Sequence, residues 1–301
     1  MRDTRGIALA EQMIYIDGKL LPKSEAHVSV FDHGFLYGDG VFEGIRAYNS
    51  VVFKLDEHLE RLYASAKTLM LEVPLTRDQM REAVISTLKA NGLRDAYIRL
   101  IVTRGVGDLG LDPRKCPKSS VIIIAGTISL MAKETVERGI KTLITWVRRD
   151  PIDGTSHEVK SMNYLNSILA KIEANNFGVD EAIFLNHQGY VCEGTAENVF
   201  IVKRGRLITP PTYTGALAGI TQQAVIEVAG RAGIQVEVRP MSASEVFNAD
   251  EVFFTGTAAE IIPVTIVNGR TIGDGKPGKT TLKLRGMFME YALDPSNGTR
   301  Y

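Results

Sequence analysis

The sequence predicts an α+β protein in two domains. Short strand-like runs are mixed with amphipathic helices without the strict βαβ alternation of a doubly wound sheet. The 301 residues are 45% hydrophobic and 23% charged, an ordinary balance for a globular chain long enough to build two cores. Periodicity lapses after residue 126. The predicted division is therefore a smaller N-terminal α/β domain at 1–126, a linker at 127–136 and a larger C-terminal domain at 137–301.

Residues 13–22 read as a hairpin turning at Asp17-Gly18, and residues 26–31 as a short apolar stretch. Residues 32–48 carry Gly34, Gly38, Gly40 and Gly44 among aromatics. They suit either a side-chain-lined site or a Gly-rich turn between core strands. Residues 54–70 form a predicted helix, with Leu55, Leu59, Leu62, Ala66 and Leu69 at helical spacing and Asp56 as its N-cap. A second helix covers about 76–90 and stops at Asn91-Gly92. Strands follow at 97–103 and 120–125. In the second half, strands are expected at 141–147, 181–185, 194–202, 206–209, 235–239 and 251–255. Helices are expected at 163–176 and 221–232, the latter stopped by Gly233.

Lys+Arg equals Asp+Glu at 35 each, which gives no support for nucleic acid or an anionic membrane as a partner. The two cysteines, Cys116 and Cys192, suit a reducing compartment, and no spacing suggests a metal site. The N-terminal residues lack the apolar core of a signal peptide, and no apolar run reaches membrane-spanning length, so a cytoplasmic location is expected. Two motifs are misleading. Gly105-Val106-Gly107-Asp108-Leu109-Gly110 fits a dinucleotide fingerprint, but Pro113 and Pro117 oppose the helix that such a site requires. Residues 273–280 match the phosphate-cradling loop of an NTPase. They follow a stretch that reads as an exposed hairpin, and too little sequence remains for the rest of such a domain.

The chemistry concentrates in residues 159–200. Lys160 stands among small and polar residues where strand-like sequence gives way to helix, while Glu193 and Glu197 lie in a Gly-containing segment before an apolar strand. A lysine in a partly dry pocket can capture a carbonyl. A carboxylate facing a pyridine nitrogen is the expected partner for pyridoxal phosphate held by that lysine. On residue type alone, both could equally be solvated surface groups. Gly219-Ile220-Thr221 falls at a helix N-terminus, which offers backbone N–H groups to an anion. Alternation puts Cys192 on the face opposite Glu193, as a core cysteine. His33 reads as a loop contact, His58 as a surface helix residue and Arg61 as a solvated charge.

Six stretches together resemble the branched-chain amino acid aminotransferases, which are class IV, fold-type IV pyridoxal-phosphate enzymes. They are residues 37–46, Tyr97-Ile98-Arg99, Lys160-Ser161-Met162-Asn163-Tyr164, residues 193–198, Gly219-Ile220-Thr221 and Thr255-Gly256-Thr257-Ala258-Ala259-Glu260. The resemblance spans about residues 13–285. It implies a small α/β domain and a larger pseudo-barrel domain with pyridoxal 5′-phosphate between them. Lys160 would hold the cofactor and then shuttle the substrate's Cα proton. Glu193 would pair with the pyridine nitrogen, Tyr164 would reach the phenolic oxygen and Leu217 would pack on the ring. Arg61, Gly219, Ile220, Thr221, Gly256 and Thr257 would hold the phosphate end.

For substrate, the resemblance implies an apolar wall of Tyr37, Phe42 and Gly44, with Tyr37 reaching across from a second subunit of a homodimer or dimer-based oligomer. Tyr97, Thr257 and Ala258 would take the α-carboxylate, and Arg99 the distal carboxylate of glutamate. The partners implied are amino acids and 2-oxo acids. D-amino-acid or (R)-amine transaminases and aminodeoxychorismate lyases share single motifs. However, residues 106–112 lack the arginine and histidine usual in the first, and the lyases usually lack Phe42-Glu43-Gly44-Ile45-Arg46. Residues 126–131 lack the tryptophan that some members place over the pocket.

Overall fold

The computed structural model describes residues 11–127 and 133–301. The fold is α+β in two units, each built around its own sheet. The expectations for residues 1–10, and for residues 128–132 of the linker at 127–136, fall outside the described residues.

The first unit contains strands β1 (Met13–Ile16), β2 (Lys19–Pro22), β3 (Gly40–Tyr48), β4 (Val51–Phe53), β5 (Ala96–Thr103), β6 (Ser120–Gly126) and, from the far end of the chain, β16 (Gly298–Arg300). They form one sheet in the order β16-β4-β3-β5-β6-β1-β2. Its helices are α1 (His33–Tyr37), α2 (Leu55–Thr68) and α3 (Arg77–Ala90). The β1–β2 turn uses the left-handed conformation at both Asp17 (φ 47°) and Gly18 (φ 90°), the geometry of a two-residue hairpin. The core lies on one face of the sheet, where Val41, Ile45, Ile98, Leu100 and Ile123 meet Leu55, Leu59 and Leu62 of α2 and Met80, Val84 and Leu88 of α3. Each such side chain contributes roughly 1.5–3 kcal/mol relative to exposure. Thr76 and Gln79 close a capping box at the start of α3.

Three expectations change here. Asp56 is not the cap of α2. Lys54 takes that place in a left-handed conformation (φ 49°), and Asp56 lies in the first turn, paired with Arg81. His58 is buried, because it falls on the stripe that faces the sheet. Gly298–Tyr301 joins the first unit rather than ending the second, since β16 pairs antiparallel with β4. After the Gly105–Gly110 motif the chain passes through a single 3-10 turn into β6, so the motif does not open an α-helix.

The second unit holds α4 (Lys133–Arg138), β7 (Ile140–Arg148), α5 (Leu165–Asn176), β8 (Glu181–Leu185), β9 (Val191–Gly194), β10 (Asn198–Lys203) and β11 (Arg206–Thr209). It continues with α6 (Ile220–Arg231), β12 (Val236–Val238), α7 (Ala243–Phe247), β13 (Glu251–Gly256), β14 (Glu260–Val267), β15 (Arg270–Thr271) and α8 (Lys279–Leu293). The strand order is β12-β11-β10-β13-β14-β7-β8-β9, with β15 on β14. The pairs β11–β12, β14–β7 and β7–β8 are parallel and the rest antiparallel.

The single strand expected at 194–202 is instead two. Gly194 N–H donates to the Glu197 carbonyl at 2.7 Å, closing a turn between β9 and β10. β14 is an addition to the predicted strands, hidden in the sequence because Pro263 interrupts its apolar run. The strand tolerates Pro263 where β7, its second neighbour, has not yet begun to pair. The loop resembling an NTPase motif does open a helix, α8, but Glu251 fills the N-terminus. Its carboxylate accepts from Thr280 N (3.0 Å), Thr281 N (2.7 Å) and Thr281 Oγ1 (2.7 Å), leaving the phosphate's place taken by the protein itself.

Candidate active site

In the second unit, one contiguous network carries the expected chemistry. Lys160 is half-buried just before α5, and its Nζ donates to the Tyr164 hydroxyl at 3.1 Å. The Tyr164 ring stands edge-on to His157, with centroids 5.8 Å apart. His157 in turn touches Arg149, with Nε2 3.4 Å from Nη1. Arg149 is 1% exposed and lies 4.1 Å over the Phe184 ring. It donates from Nε (3.1 Å) and Nη2 (2.6 Å) to Glu193 Oε1, and from Nη1 to Asn166 and Ser167. The other Glu193 oxygen accepts from Leu217 N–H at 2.9 Å.

From Leu217 the track runs on to a helix end. The Leu217 carbonyl accepts from Asn198 Nδ2 at 2.8 Å, and Asn198 Oδ1 lies where a Cβ on Gly219 would collide with it. Gly219 is the N-cap of α6, and the first turn, which begins with Ile220 and Thr221, receives no side-chain cap. Gly256 ends β13 and Thr257 and Ala258 follow in the turn, all three half-buried. A Cβ on Gly256 would press on Glu197 Cγ at 3.2 Å. The neighbouring Thr255 hydroxyl is buried and, among the described residues, has no hydrogen-bond partner.

Cys192 points into the core as expected. Its Sγ donates to the Thr214 carbonyl at 2.8 Å, and burial pushes its thiol up to about 12, far from a reactive thiolate. Burial, reinforced by the Arg149 charge, holds His157 below the ordinary histidine value, which favours the neutral ring beside Tyr164.

Burial also pushes the Glu197 carboxyl up to about 8, with the Glu181 carboxylate adding to the shift. An unfolded glutamate ionises near 4.5, whereas the folded one keeps its proton until about 8. The stability linked to Glu197 is therefore fully present below the unfolded value and lost as pH rises through the folded one. Glu197→Gln imitates the protonated acid. It is expected to melt with wild type at about pH 5 but about 5 °C above it at about pH 9, measured by circular dichroism.

The first unit carries the other expected residues on two faces of β3. One face presents Phe42, Gly44 and Arg46, in register with Ile101, Arg99 and Tyr97 of β5. The Arg99 guanidinium lies 4.6 Å over the Phe42 ring and donates to the Tyr97 hydroxyl at 3.1 Å. A Cβ on Gly44 would collide with that hydroxyl, so glycine is required there. Arg46 is buried and stacks on Tyr48 at 4.8 Å, and its Nε and Nη1 find no hydrogen-bond partner among the described residues.

On the core face, Glu43 accepts a two-pronged bond from Arg61 (Nε and Nη2, each 2.7 Å) and one from His58 Nδ1 at 2.8 Å. Burial alone would raise the Glu43 carboxyl, but the Arg61 and His58 charges and hydrogen bonds outweigh it and hold it at about 2. Arg61 is thus not a free solvated charge. Tyr37 ends α1, and its hydroxyl donates to the Leu109 carbonyl at 2.5 Å.

The sequence reading missed Arg149, Asn198, Arg46 and the Glu43–His58 pair. Alternation from Phe42 and Gly44 was the available signal for Arg46. For Arg149 there was only its place beside the end of a buried strand.

A carbonyl-capturing amine, a buried carboxylate and a bare helix N-terminus in one network suit a phosphorylated aromatic aldehyde with a ring nitrogen. Comparison with known proteins gives the same answer. The amino-transferase class IV family profile matches residues 40–267. A Methanocaldococcus jannaschii relative, provisionally named a branched-chain-amino-acid aminotransferase, is 53% identical over 277 residues, covering 92% of this chain and 95% of its own. The Escherichia coli branched-chain amino acid aminotransferase structure superposes with a TM-score of 0.92 at 36% identity, covering 95% of this chain and 96% of its own. The T.th. branched-chain amino acid aminotransferase with pyridoxamine 5′-phosphate gives 0.91 at 36% identity, covering 96% of each chain. The same enzyme has been solved with N-(5′-phosphopyridoxyl)-L-glutamate. The chain belongs to the class IV amino-transferases. The residues present fit that family's cofactor, because the start of α6 carries no side-chain cap and Glu193 is held as a fixed acceptor.

Proposed function

We propose that this protein is a pyridoxal-phosphate-dependent branched-chain amino acid aminotransferase. It would move the amino group of L-leucine, L-isoleucine or L-valine reversibly to 2-oxoglutarate, giving L-glutamate and the branched-chain 2-oxo acid. The observation that carries this reading is the β3–β5 face, where Arg99 lies over Phe42 and bonds to Tyr97. A two-substrate exchange must accept an aliphatic side chain and a carboxylate at one place. An apolar wall with a guanidinium folded across it can do both.

Bound pyridoxal phosphate supplies the electron sink that acidifies the substrate's Cα. Lys160 would hold the cofactor, and its amine, once freed by substrate, would carry the proton between the substrate's Cα and the cofactor. Tyr164, within hydrogen-bond distance of Nζ, orients that amine and meets the phenolic oxygen. Glu193, fixed by Arg149 and Leu217, would be the carboxylate that pairs with the ring nitrogen. Leu217 covers the ring, while Gly219, Ile220, Thr221, Gly256, Thr257 and Arg61 take the phosphate. Tyr97, Thr257, Ala258 and the buried charge of Arg46 receive the α-carboxylate, and Phe42 with Gly44 walls the side chain.

We further infer a homodimer or dimer-based oligomer in which a second copy's Tyr37 completes the apolar wall. The exposed Val30, Phe31 and Phe35 around α1 support that reading. A cytoplasmic location is supported by two unbridged cysteines, and no helix among the described residues is long and apolar enough to cross a membrane.

Visible absorption of the purified protein tests the proposal. Its yellow colour is expected to bleach with L-leucine and not with D-alanine. Bleaching with D-alanine alone would keep Lys160 and Glu193 but overturn the carboxylate assignments. A protein that takes up no pyridoxal phosphate would overturn the whole reading.

A further inference from the structure

We propose that Glu43 and His58 are positioning residues that aim Arg61 at the cofactor's phosphate, and so set how much of the cofactor's affinity the phosphate provides. The inference rests on the assignment of Arg61 to the phosphate made above.

A carboxylate on the core face of a sheet is costly. Glu43 has no exposed surface and lies between Val41 and Ile45, whose side chains pack in the apolar core of its unit. Apolar residues of similar volume commonly serve stability in such a place as well as an ion pair does, so the pair suggests a directional role. The geometry supplies one. Glu43 Oε1 and Oε2 each receive one N–H from Arg61 at 2.7 Å, locking the guanidinium plane to the carboxylate plane. His58 Nδ1 binds Oε2 at 2.8 Å and so stops the carboxylate from turning. His58 and Arg61 are three residues apart on α2, on the same side of the helix, so both reach the one β3 side chain.

Side-chain exposure rises from 0% at Glu43 and 2% at His58 to 12% at Arg61. The arginine is therefore the member of the three that reaches outward. Its fork with Glu43 commits one edge of the guanidinium and fixes the direction of the remaining N–H groups. An arginine freed from that fork keeps its charge but regains several rotatable bonds, and ordering it again costs binding energy.

A purely structural role would weaken every ligand alike, whereas a phosphate-aiming role weakens only ligands that carry the phosphate. The test titrates the full chain, stripped of cofactor, with pyridoxal 5′-phosphate and separately with pyridoxal, following visible absorption. His58→Leu and Glu43→Gln are expected to weaken pyridoxal phosphate about tenfold while leaving pyridoxal within about twofold. His58→Asn, whose amide nitrogen can stand where Nδ1 stands, is expected to stay within about threefold of wild type for both. Arg61→Met reports on the underlying assignment.

Equal weakening of both ligands by His58→Leu overturns the proposal. So does unchanged pyridoxal phosphate binding in His58→Leu while Arg61→Met weakens it. If Arg61→Met leaves the ratio of the two affinities at its wild-type value, the phosphate assignment of Arg61 fails instead. Should Glu43→Gln not fold, as judged by circular dichroism, the two His58 variants carry the comparison unaided.

Discussion

Lys160→Ala is expected to cut transamination between L-leucine and 2-oxoglutarate to below about one ten-thousandth of wild type, because the proposed function gives one side chain both the hold on the cofactor and the movement of the Cα proton. Neither task has a substitute nearby. The Tyr164 hydroxyl is within reach of Nζ, but a phenol cannot capture a carbonyl as a primary amine does. The variant should fold normally, since Lys160 is only half-buried and such substitutions usually change stability by less than about 0.5 kcal/mol. Pyridoxal phosphate added to Lys160→Ala should show the absorbance of the free aldehyde. A small soluble amine should restore part of the rate. Activity above about one per cent of wild type would remove Lys160 from the centre of the mechanism.

Arg149→Met is expected to be the most destabilising single change at the site. It strips Glu193 of its charged partner and leaves a carboxylate that is 4% exposed with the Leu217 N–H still attached. Breaking a buried pair in this way costs about 3–5 kcal/mol, enough to lower the melting temperature by roughly 10 °C. Arg149→Lys should fall between the two. It keeps the charge but cannot reproduce the fork to Oε1 together with the bonds to Asn166 and Ser167. A denaturation series with and without cofactor would separate the fold from the site. If the pair serves both, Arg149→Met loses stability in each condition and the bound cofactor's absorption maximum shifts. Unchanged stability in the absence of cofactor would show that Arg149 is not the support its bonds suggest.

The parts of the site that could be read from sequence are those whose chemistry is local. Lys160 and Tyr164 are four residues apart, Glu193 lies in a short Gly-containing segment, and Gly219-Ile220-Thr221 opens a helix, so each falls in a short motif that the family resemblance could pick out, where residue type alone left a solvated surface group equally open. The supports could not be read in this way. Arg149 lies 44 residues from Glu193, and Asn198 reaches Leu217 across 19. Nothing in residues 148–158 marks one arginine of Arg148-Arg149 as buried and the other as exposed.

His58 shows the same limit from the other side. It lies on the Leu55–Leu59–Leu62 stripe, where its polarity suggested the surface. The helix buries it because β3 supplies a carboxylate to meet it. Propensity reasoning failed for the fold at β14, where Pro263 hid a strand whose neighbour begins one residue later, and between β9 and β10, where a hydrogen-bonded turn breaks an apparently continuous run.

β3 makes two systems share one variable. Its even-numbered positions 42 and 44 furnish the wall of the proposed substrate pocket and 46 a charge beside it, and its odd-numbered position 43 furnishes the anchor of Arg61. Because side chains alternate strictly, a one-residue slip in the register of the whole strand would send the guanidinium's anchor outward and the wall into the apolar core in the same step. Such a change cannot trade specificity against cofactor grip, since it inverts both. Variation that alters substrate choice in this strand is thereby confined to exchanges in place. The neighbouring turn at Asn49-Ser50, already in left-handed conformation, is where changes in length can be absorbed.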